Sequence, residues 1–219
     1  MQITLKDGSV REFPAGTTAA EAAKALGAGL YKAACACQIN GETADLRTPL
    51  TQDCQLAILT FDQADGKHAF WHTASHVLAQ AVKRLYPSAK LSIGPAIDNG
   101  FYYDFDVEPA FSPEDLEKLE AEMRKIVKED LPLERYELSP AEALRALEAQ
   151  NEPYKVELCQ EHADKGENIS FYRQGEFADL CAGPHLMSTG PIKAVKLTAC
   201  TGAYWRGDAK GKQLCRVYG

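Results

Sequence analysis

The segment from residue 68 to residue 86 constrains the fold more than any other part of this sequence. Its apolar residues recur at steps of three and four, which is the spacing of one face of an α-helix. That face consists of Phe70, Trp71, Ala74, Val77, Leu78, Ala81, Val82 and Leu85. Pro87 stands directly after the predicted end, where helices commonly stop. Such a helix needs a second apolar surface to cover its stripe, so the chain must place a sheet or further helices beside it.

Residues 91–107 supply a candidate for that second surface. LSIGPAIDNGFYYDFDV predicts a strand, an Asp-Asn-Gly turn at 98–100 and a second strand. Phe101, Tyr103 and Phe105 would point to one face of this strand. Ser112-Pro113 and Ser139-Pro140 each predict a helix start, and the glycine-punctuated remainder from Tyr154 to Gly219 predicts further strands. Residues 63–219 are therefore expected to be an α+β domain with helices packed on an antiparallel sheet.

Residues 1–62 predict a smaller domain of their own. Ile3 and Leu5 alternate with polar residues, and an Asp-Gly turn at 7–8 leads into a returning strand at 10–13. Thr18 and Glu21 form a capping box at the start of an alanine-rich helix, which Gly27 or Gly29 can end. Residues 34–40 and 55–60 predict more strands. This order predicts a small β-grasp-like module, and FDQADGKH at 61–68 predicts a linker.

Composition excludes several classes of protein. No run of 18 apolar residues occurs in the 219, so no transmembrane helix is expected. The formal net charge of −7 argues against binding nucleic acid over the whole surface. The cysteines are odd in number and scattered, which predicts reduced thiols in a cytoplasmic protein. They are Cys35, Cys37, Cys54, Cys159, Cys181, Cys200 and Cys215.

A basic stretch near the end of the chain qualifies the net charge. Between residues 193 and 216 the only acid is Asp208. The basic residues are Lys193, Lys196, Arg206, Lys210, Lys212 and Arg216. Such a stretch can offer a basic face to phosphates, or it can be basic by chance.

Two pairs of closely spaced residues are the candidates for a catalytic or metal site. His72 and His76 lie four residues apart on the predicted helix, so they project from one face. Cys181 and His185 are also four apart, in a turn-rich segment. Three imidazoles and one thiol are donors that tetrahedral zinc accepts. Spacing alone leaves two interpretations open: the four residues share one site, or they never meet.

Four longer motifs point to a known family. HTASHVLAQAVKRLYP, IGPAIDNGFYYDFD, DLCAGPHLMSTGPI and TGAYWRGD follow one another in this order. Together they resemble the N-terminal region of bacterial threonyl-tRNA synthetases, and the resemblance covers essentially the whole chain. Residues 1–62 resemble that family's TGS domain, and residues 63–219 resemble its editing domain, which is related to that of alanyl-tRNA synthetases. The resemblance implies that the four residues meet in a cleft that hydrolyses mischarged Ser-tRNA(Thr) and spares Thr-tRNA(Thr).

The resemblance also implies catalytic roles. His72 or His76 would be the general base, because an unperturbed imidazole titrates near about pH 6.5. Lys155 matches a lysine of the family's pocket and would hold the ribose or the oxyanion. Asp179 would bind the serine ammonium or orient a histidine. Cys181 would be a pocket wall or a zinc ligand, and less so a nucleophile, since an ester this reactive needs no covalent intermediate.

Substrate-binding residues follow from the same resemblance. Tyr103 would line the pocket near the terminal adenosine, where stacking on an aromatic ring is worth about 1–3 kcal/mol per base. Gly94 and Arg206 complete the predicted substrate-binding set. No cofactor is expected to be required, although Zn²⁺ is possible at His72, His76, Cys181 and His185, as in the related alanyl editing domains.

The resemblance does not include the synthetase domain of the family, and this limits the activity expected of these residues. The synthetase domain that uses ATP and Mg²⁺ has no counterpart in these residues, so we expect no synthesis of Thr-tRNA(Thr). The chain would be a fragment or a separate editing protein, a monomer by itself and part of a homodimer in the parent enzyme. Its expected partner is the serine-carrying acceptor end of tRNA(Thr), with no membrane. Two other classes stay open: a zinc-dependent hydrolase of a small molecule, and a non-catalytic interaction module bearing a TGS domain.

Overall fold

The computed structural model describes residues 1–219 and groups them into two compact units. One unit contains Met1–Phe70 together with Gly183–Met187, and the other contains Trp71–Ala182 and Ser188–Gly219. The sequence predicts a domain boundary after residue 62. The two compact units describe packing and do not test that boundary, so it stays a prediction. No helix of the chain is both long enough and apolar enough to cross a bilayer.

The N-terminal unit contains a five-stranded sheet and two short helices. Its elements are β1 Gln2–Leu5, β2 Val10–Glu12, α1 Ala19–Leu26, α2 Ala28–Ala33, β3 Ala34–Ile39, β4 Glu42–Ala44 and β5 Cys54–Thr60. The strand order is β2-β1-β5-β3-β4, with β1 parallel to β5 and all other neighbours antiparallel. The alanines of α1 pack with Ile3, Leu46 and Leu56 in a buried cluster. The predicted β-grasp-like order is confirmed.

Local sequence signals account for most of this unit. The Thr18 side chain accepts from the Glu21 amide, and the Glu21 carboxylate accepts from the Thr18 amide, so the predicted capping box is present. Asn40 and Gly41 turn the chain with φ of 52° and 87°, which suits these two residue types. Gly27 ends α1, but Gly29 lies inside α2, a helix that the sequence analysis did not predict.

Helix α3 is longer than predicted. It spans Ala64–Leu85 and therefore begins inside the segment 61–68, so the predicted linker is wrong there. Within it, the side chains of Ala74, Val77, Leu78, Ala81 and Val82 are buried as expected. Leu85, at the end of the predicted stripe, is 40% exposed.

The rest of the second unit combines three helices with two antiparallel sheets. Its helices are α4 Pro113–Glu129, α5 Pro140–Ala149 and α6 Pro153–Asp164. Its strands are β6 Lys90–Leu91, β7 Ala96–Ile97, β8 Gly100–Asp106, β9 Leu133–Leu138, β10 Ile169–Gln174, β11 Phe177–Leu180, β12 Ala199–Tyr204 and β13 Gln213–Tyr218. One sheet runs β12-β13-β8-β6, with β7 paired to β8, and the other runs β11-β10-β9. Phe101, Tyr103 and Phe105 face the core, and the predicted α+β class is confirmed.

Helix α6 contradicts the prediction of a strand-rich remainder after Tyr154. Its start has a proline at the first helical position, Pro153, as α4 and α5 do, but it lacks their capping serine, and the N-cap residue Glu152 makes no side-chain capping bond. Its apolar residues also form no continuous stripe, since the buried positions are Lys155 and Cys159. Pattern reasoning therefore had neither a cap nor a period to detect.

The cysteine prediction is wrong for two of the seven residues. Cys200 and Cys215 form a disulfide between β12 and β13, while Cys35, Cys37, Cys54, Cys159 and Cys181 form no disulfide. The two strands are antiparallel neighbours, with Gly202 opposite Cys215 and Cys200 opposite Val217. Sequence positions 15 apart become close only because the strands pair.

The predicted basic face between residues 193 and 216 is largely neutralised by distant carboxylates. Lys196 pairs with Glu120 at 2.8 Å, and Arg216 pairs with the buried Asp104 at 2.7 Å. The other pairs are Arg206 with Glu157 and Glu161, and Lys212 with Asp106 and Glu108. Counting acids only within the stretch missed these partners, so the stretch is not a free basic face.

We expect Ser112→Ala to lower the free energy of unfolding by about 1 kcal/mol, because it removes the N-cap of α4. The Ser112 hydroxyl accepts from the Asp115 amide, and the Asp115 carboxylate accepts from the Ser112 amide. Chemical denaturation measures the change. Ser88→Ala, at an exposed turn position, is the control and should shift stability by less than about 0.5 kcal/mol. Equal shifts in both variants would contradict the capping argument.

Candidate active site

Helix α3 presents two of the predicted site residues. His72 and His76 lie one turn apart, with ring centroids 5.2 Å apart and ring planes at 85°. His72 is half-buried, whereas His76 is only 2% exposed. His72 is therefore partly exposed, whereas His76 is enclosed by the protein.

The end of β11 brings a thiol to the open imidazole. Cys181 directly follows β11, and its amide donates to the Ser170 carbonyl at 3.0 Å, which continues the pairing with β10. The Ser170 hydroxyl donates to the Cys181 carbonyl at 2.7 Å. These bonds hold the Cys181 Sγ 3.4 Å from the His72 Nε2.

His185 is held by the loop between β4 and β5. Its amide donates to the Asp45 carboxylate at 3.3 Å, and the Arg47 guanidinium donates to the carbonyls of His185 and Leu186 at 3.3 and 2.8 Å. The donor atoms of His72, His76, Cys181 and His185 all lie within 4.8 Å of one another. The structure thus brings together the four residues that spacing alone could not connect.

A buried carboxylate joins this cluster to three other elements. The Lys155 ammonium lies 2.7 Å from the Asp179 Oδ1, and the Tyr103 hydroxyl donates to the Asp179 Oδ2 at 2.6 Å. The His76 Nε2 lies 3.7 Å from the same Oδ2. Asp179 is 2% exposed and Lys155 is 4% exposed. A single carboxylate from β11 therefore ties together α3, β8 and the first turn of α6.

This environment shifts the proton affinities of the buried groups. Burial lowers the pKa of His76 to about 4, although the Asp179 carboxylate opposes the shift, so the imidazole is neutral near pH 7. Burial also raises the pKa of Tyr103 well above its usual 10, with Asp179 adding to the rise, and the phenol stays a donor. Burial alone would raise the pKa of Asp179, but Lys155, His76 and the bond from Tyr103 outweigh it and hold the pKa below 3.8.

Two predicted substrate-binding residues, Tyr103 and Gly94, lie beside the buried Asp179 network rather than at the protein surface. Tyr103 is fully buried and stacks on Phe105 with centroids 4.8 Å apart. Its ring stacks on another protein side chain in this structure, and its predicted role near the terminal adenosine stays a prediction. Gly94 packs against the Tyr103 ring, since a Cβ at this position would lie 2.0 Å from a ring carbon.

The third predicted substrate-binding residue belongs to a different set of contacts. Arg206 lies over the Trp205 ring and pairs with Glu157 and Glu161 of α6. None of these residues belongs to the cluster around Asp179. The structure therefore does not bring Arg206 to the other predicted site residues.

Sequence reasoning missed two residues that shape the site. The Ser75 hydroxyl donates to the carbonyls of Gly94 and His72, at 2.6 and 2.8 Å, and so fixes the loop beside α3. Phe177 meets the His76 ring edge-on with centroids 6.2 Å apart. Ser75 lies between the two histidines in the motif HTASHVLAQAVKRLYP, but its residue type indicated no role there, and Phe177 lies in none of the four motifs.

The four clustered donors are chemically suited to a transition metal. Three imidazoles and one thiol are the donor types found in zinc sites, and a ligating imidazole must be neutral, as His76 is near pH 7. A tetrahedral zinc holds its donors about 3–4 Å apart, so the side chains would close slightly from their present spread of up to 4.8 Å. The donor set fits a metal by type and by proximity.

The lowered pKa of His76 gives a prediction about stability in metal-free, chelator-treated protein. The unfolded chain takes up a proton at this position near pH 6.5, but the folded chain does so only near pH 4. The unfolded state therefore binds more protons in this window, and stability falls as the pH is lowered. Between pH 6.5 and pH 4.5 the loss from His76 should be about 2 kcal/mol.

Denaturant unfolding of wild type and His76→Asn at both pH values measures this loss. The variant should lack it, whereas His162→Asn, at an exposed histidine, should keep it. The depressed pKa of Asp179 stabilises the fold above pH 3.8 and loses effect only as the pH falls through the folded value, so it does not act in this window. An unchanged pH dependence in His76→Asn would contradict the assignment.

Comparison with known proteins agrees with the architecture. Residues 1–60 match the TGS domain family, and residues 169–218 match the family described as the threonyl and alanyl tRNA synthetase second additional domain. The second match includes Asp179, Cys181 and His185, while His72 and Lys155 lie outside it.

Whole-chain relatives give the same result. All 219 residues align at 60% identity with the threonine--tRNA ligase of Acetivibrio thermocellus, at 58% with that of Clostridium tetani and at 56% with that of Caldanaerobacter subterraneus subsp. tengcongensis. The chain spans 34% of the length of each of these curated relatives. The chain therefore carries matches to both domain models and is similar along its whole length to the N-terminal part of bacterial threonine--tRNA ligases.

Proposed function

We propose that this chain proofreads aminoacylation by hydrolysing the ester that joins serine to tRNA(Thr). The observation that carries the proposal is the half-buried pair of His72 and Cys181, backed by the buried Lys155–Asp179 ion pair. A partly open imidazole beside a buried charged network suits ester hydrolysis, which needs a base for water and a positive charge for an oxyanion. Similarity to threonine--tRNA ligases supplies the substrate class.

His72 is the better candidate for the general base. His72 is partly exposed, while His76 is enclosed and has a pKa of about 4. In the proposed step His72 takes a proton from water, and the water oxygen bonds to the ester carbon. The carbonyl electron pair moves to oxygen and then returns, breaking the bond to the ribose oxygen, which receives the proton from His72.

Lys155 and Asp179 would act as a unit. The Lys155 ammonium is the positive charge available to an oxyanion or a ribose hydroxyl, and Asp179 keeps it in place at 2.7 Å. Asp179 already accepts from Tyr103 and lies 3.7 Å from His76. These contacts favour the orienting role for Asp179 over direct binding of the serine ammonium.

The proposed site would hydrolyse the serine ester selectively, because serine and threonine are hard to distinguish in a single pocket. Serine lacks one methyl group of threonine, and a missing methyl is worth only about 1–3 kcal/mol of discrimination in an aminoacylation pocket. A second pocket that excludes the methyl group by contact with tightly packed side chains supplies the remaining discrimination, because packed interiors deform little. Rigid neighbours are available, since β11 and α3 meet at Asp179 and His76.

If a metal bound at the cluster, the same four residues would act as metal ligands instead of pocket residues. His72, His76, Cys181 and His185 would hold it, and bound zinc supplies Lewis-acid activation of water. We propose that hydrolysis proceeds without it, since His72 and Lys155 already provide a base and a cation. The cluster equally suits the rival function, a zinc-dependent hydrolase of a small molecule.

The proposed partner is the acceptor end of tRNA(Thr) charged with serine, in the cytoplasm. The parent enzyme would be a homodimer and would attach threonine with ATP and Mg²⁺, while this chain would be a monomer. A non-catalytic TGS-bearing interaction module is the remaining rival, and it predicts no hydrolysis at all.

We expect the chain to deacylate Ser-tRNA(Thr), and we expect His72→Ala, Lys155→Ala and Asp179→Asn to slow this step by about 100-fold or more, as loss of an acid–base or charged group does. Single-turnover release of labelled serine measures the rate. His162→Ala, an exposed histidine outside the site, should keep the wild-type rate. Wild-type rates in all three site variants would exclude these assignments.

Selectivity separates proofreading from general esterase activity. Ser-tRNA(Thr) should be hydrolysed at least about 100-fold faster than Thr-tRNA(Thr), since the extra methyl group must enter a packed wall. The same single-turnover assay with both charged tRNAs measures the ratio. Equal rates would remove the proofreading function, and activity only on small esters would favour the rival hydrolase.

Chelation tests the metal question. If the reaction needs no zinc, protein purified without chelator should contain well under one zinc per chain, and EDTA should leave the deacylation rate unchanged. Metal analysis and activity on the same sample measure both. One zinc per chain with EDTA-sensitive activity would instead make His72, His76, Cys181 and His185 metal ligands.

A further inference from the structure

A second ion pair, between a buried carboxylate and a partly exposed ammonium, lies in the same unit as Lys155 and Asp179. Glu152 is 2% exposed, and its Oε1 lies 2.7 Å from the Lys83 ammonium. Its Oε2 accepts from the Leu91 amide at 2.7 Å. The Lys83 ammonium also donates to the carbonyls of Pro87 and Ala89, at 3.1 and 3.0 Å. Both charged groups are thus hydrogen-bonded, as the buried Glu152 carboxylate requires.

Glu152 stands at the start of α6 but does not cap that helix. Its backbone carbonyl accepts from the Val156 amide at 3.0 Å, while its side chain makes no capping bond. The side chain instead reaches to Lys83 of α3 and to the amide of Leu91 in β6. The first turn of α6 is therefore tied to two other elements, and Lys155 lies in that turn.

Packing alone does not hold this end of α6 against β11. An open pocket of about 410 Å³ lies there, and its lining includes Lys83, Glu152, Phe177 and Ala178. Ala178 directly precedes Asp179, the partner of Lys155. Where side chains do not fill the space between two elements, hydrogen bonds and ion pairs must set their separation.

The charge of Glu152 also reaches the candidate site. After burial and Asp179, Glu152 is a further cause of the raised pKa of Tyr103. Tyr103 donates to the same carboxylate that holds Lys155. The two ion pairs therefore lie within electrostatic reach of each other.

We propose that the Lys83–Glu152 ion pair is a positioning device, which fixes the first turn of α6 and so holds the Lys155 ammonium against Asp179. Neither residue touches the substrate. The kinetic consequence rests on the proposed function, because it assumes that Lys155 serves deacylation. The placement of Lys155 does not depend on that function and can be measured separately.

Glu152→Gln tests the device, because it keeps the size of the side chain and an acceptor for the Leu91 amide but removes the charge. The first measurement is acetylation of the native chain by a lysine-reactive ester, read by peptide mass spectrometry. Lys155 is 4% exposed and should be protected in wild type, relative to the exposed Lys118. In Glu152→Gln its labelling rate should rise by about tenfold, because the turn opens more often.

The second measurement is deacylation of Ser-tRNA(Thr). Displacement of a catalytic group by a fraction of an ångström should lower kcat by about tenfold and leave KM nearly unchanged. Glu167→Gln is the matched control, because it removes a carboxylate just beyond the other end of α6, where Glu167 pairs with the exposed His162. It should change neither labelling nor kcat.

Lys83→Met provides a second route if Glu152→Gln folds poorly. It breaks the same ion pair from the other side, so it should expose Lys155 equally, and the double variant should be no worse than either single variant. Lys83→Arg keeps the charge and should restore protection and kcat. Thermal unfolding confirms that each labelled sample is folded.

The outcomes separate the two proposals. Unchanged Lys155 labelling in both folded single variants overturns the positioning device, whatever the kinetics show. Increased labelling in a chain that never deacylates Ser-tRNA(Thr), wild type included, supports the device and removes the proposed function. Increased labelling with an unchanged kcat overturns the kinetic part, since Lys155 would then move without effect on the reaction.

Discussion

The ion pair between Lys155 and Asp179 is the interaction on which the candidate site depends. Both partners are almost completely buried and 2.7 Å apart. Removing one partner of such a pair leaves an unpaired buried charge, which typically costs about 3–5 kcal/mol. Tyr103 and His76 meet the same carboxylate, so β8, β11, α3 and α6 converge on one side chain. The position of Cys181 beside His72 follows from this convergence, since Cys181 lies two residues after Asp179.

Burial divides the site into an open part and an enclosed part. His72 and Cys181 are half-buried and keep part of their surface exposed. His76, Lys155, Asp179 and His185 are almost inaccessible. Charges in the enclosed part act through a medium of low polarisability, where their influence on a reacting group is stronger than in water. An enclosed network that supports one partly exposed imidazole is consistent with hydrolysis of an ester.

Ion pairs with distant carboxylates make the basic stretch between residues 193 and 216 less positive than its sequence suggests. The chain is acidic overall, and its late basic stretch suggested a phosphate-binding face. Four of the six basic residues there instead pair with carboxylates from α4, from α6 and from the strand–loop region around residues 104–108. Attraction of RNA by the whole stretch is thereby weakened, because each paired cation has lost part of its field. Lys193 and Lys210 have no ion pair.

The sequence by itself determined the elements whose signals are local. The capping boxes at Thr18, Ser112 and Ser139, the Asn40-Gly41 turn and the helix that carries His72 all depend on residues a few positions apart. Its longer motifs also indicated the similarity to threonine--tRNA ligases and suggested the candidate site residues. The tertiary structure alone decided that Asp179 meets Lys155 and Tyr103, that Tyr103 is buried, that α6 is a helix and that Cys200 reaches Cys215. The reason is physical: caps and turns are governed by bonds within one turn of chain, whereas burial, proton affinity and ion pairing depend on neighbours supplied by distant parts of the sequence.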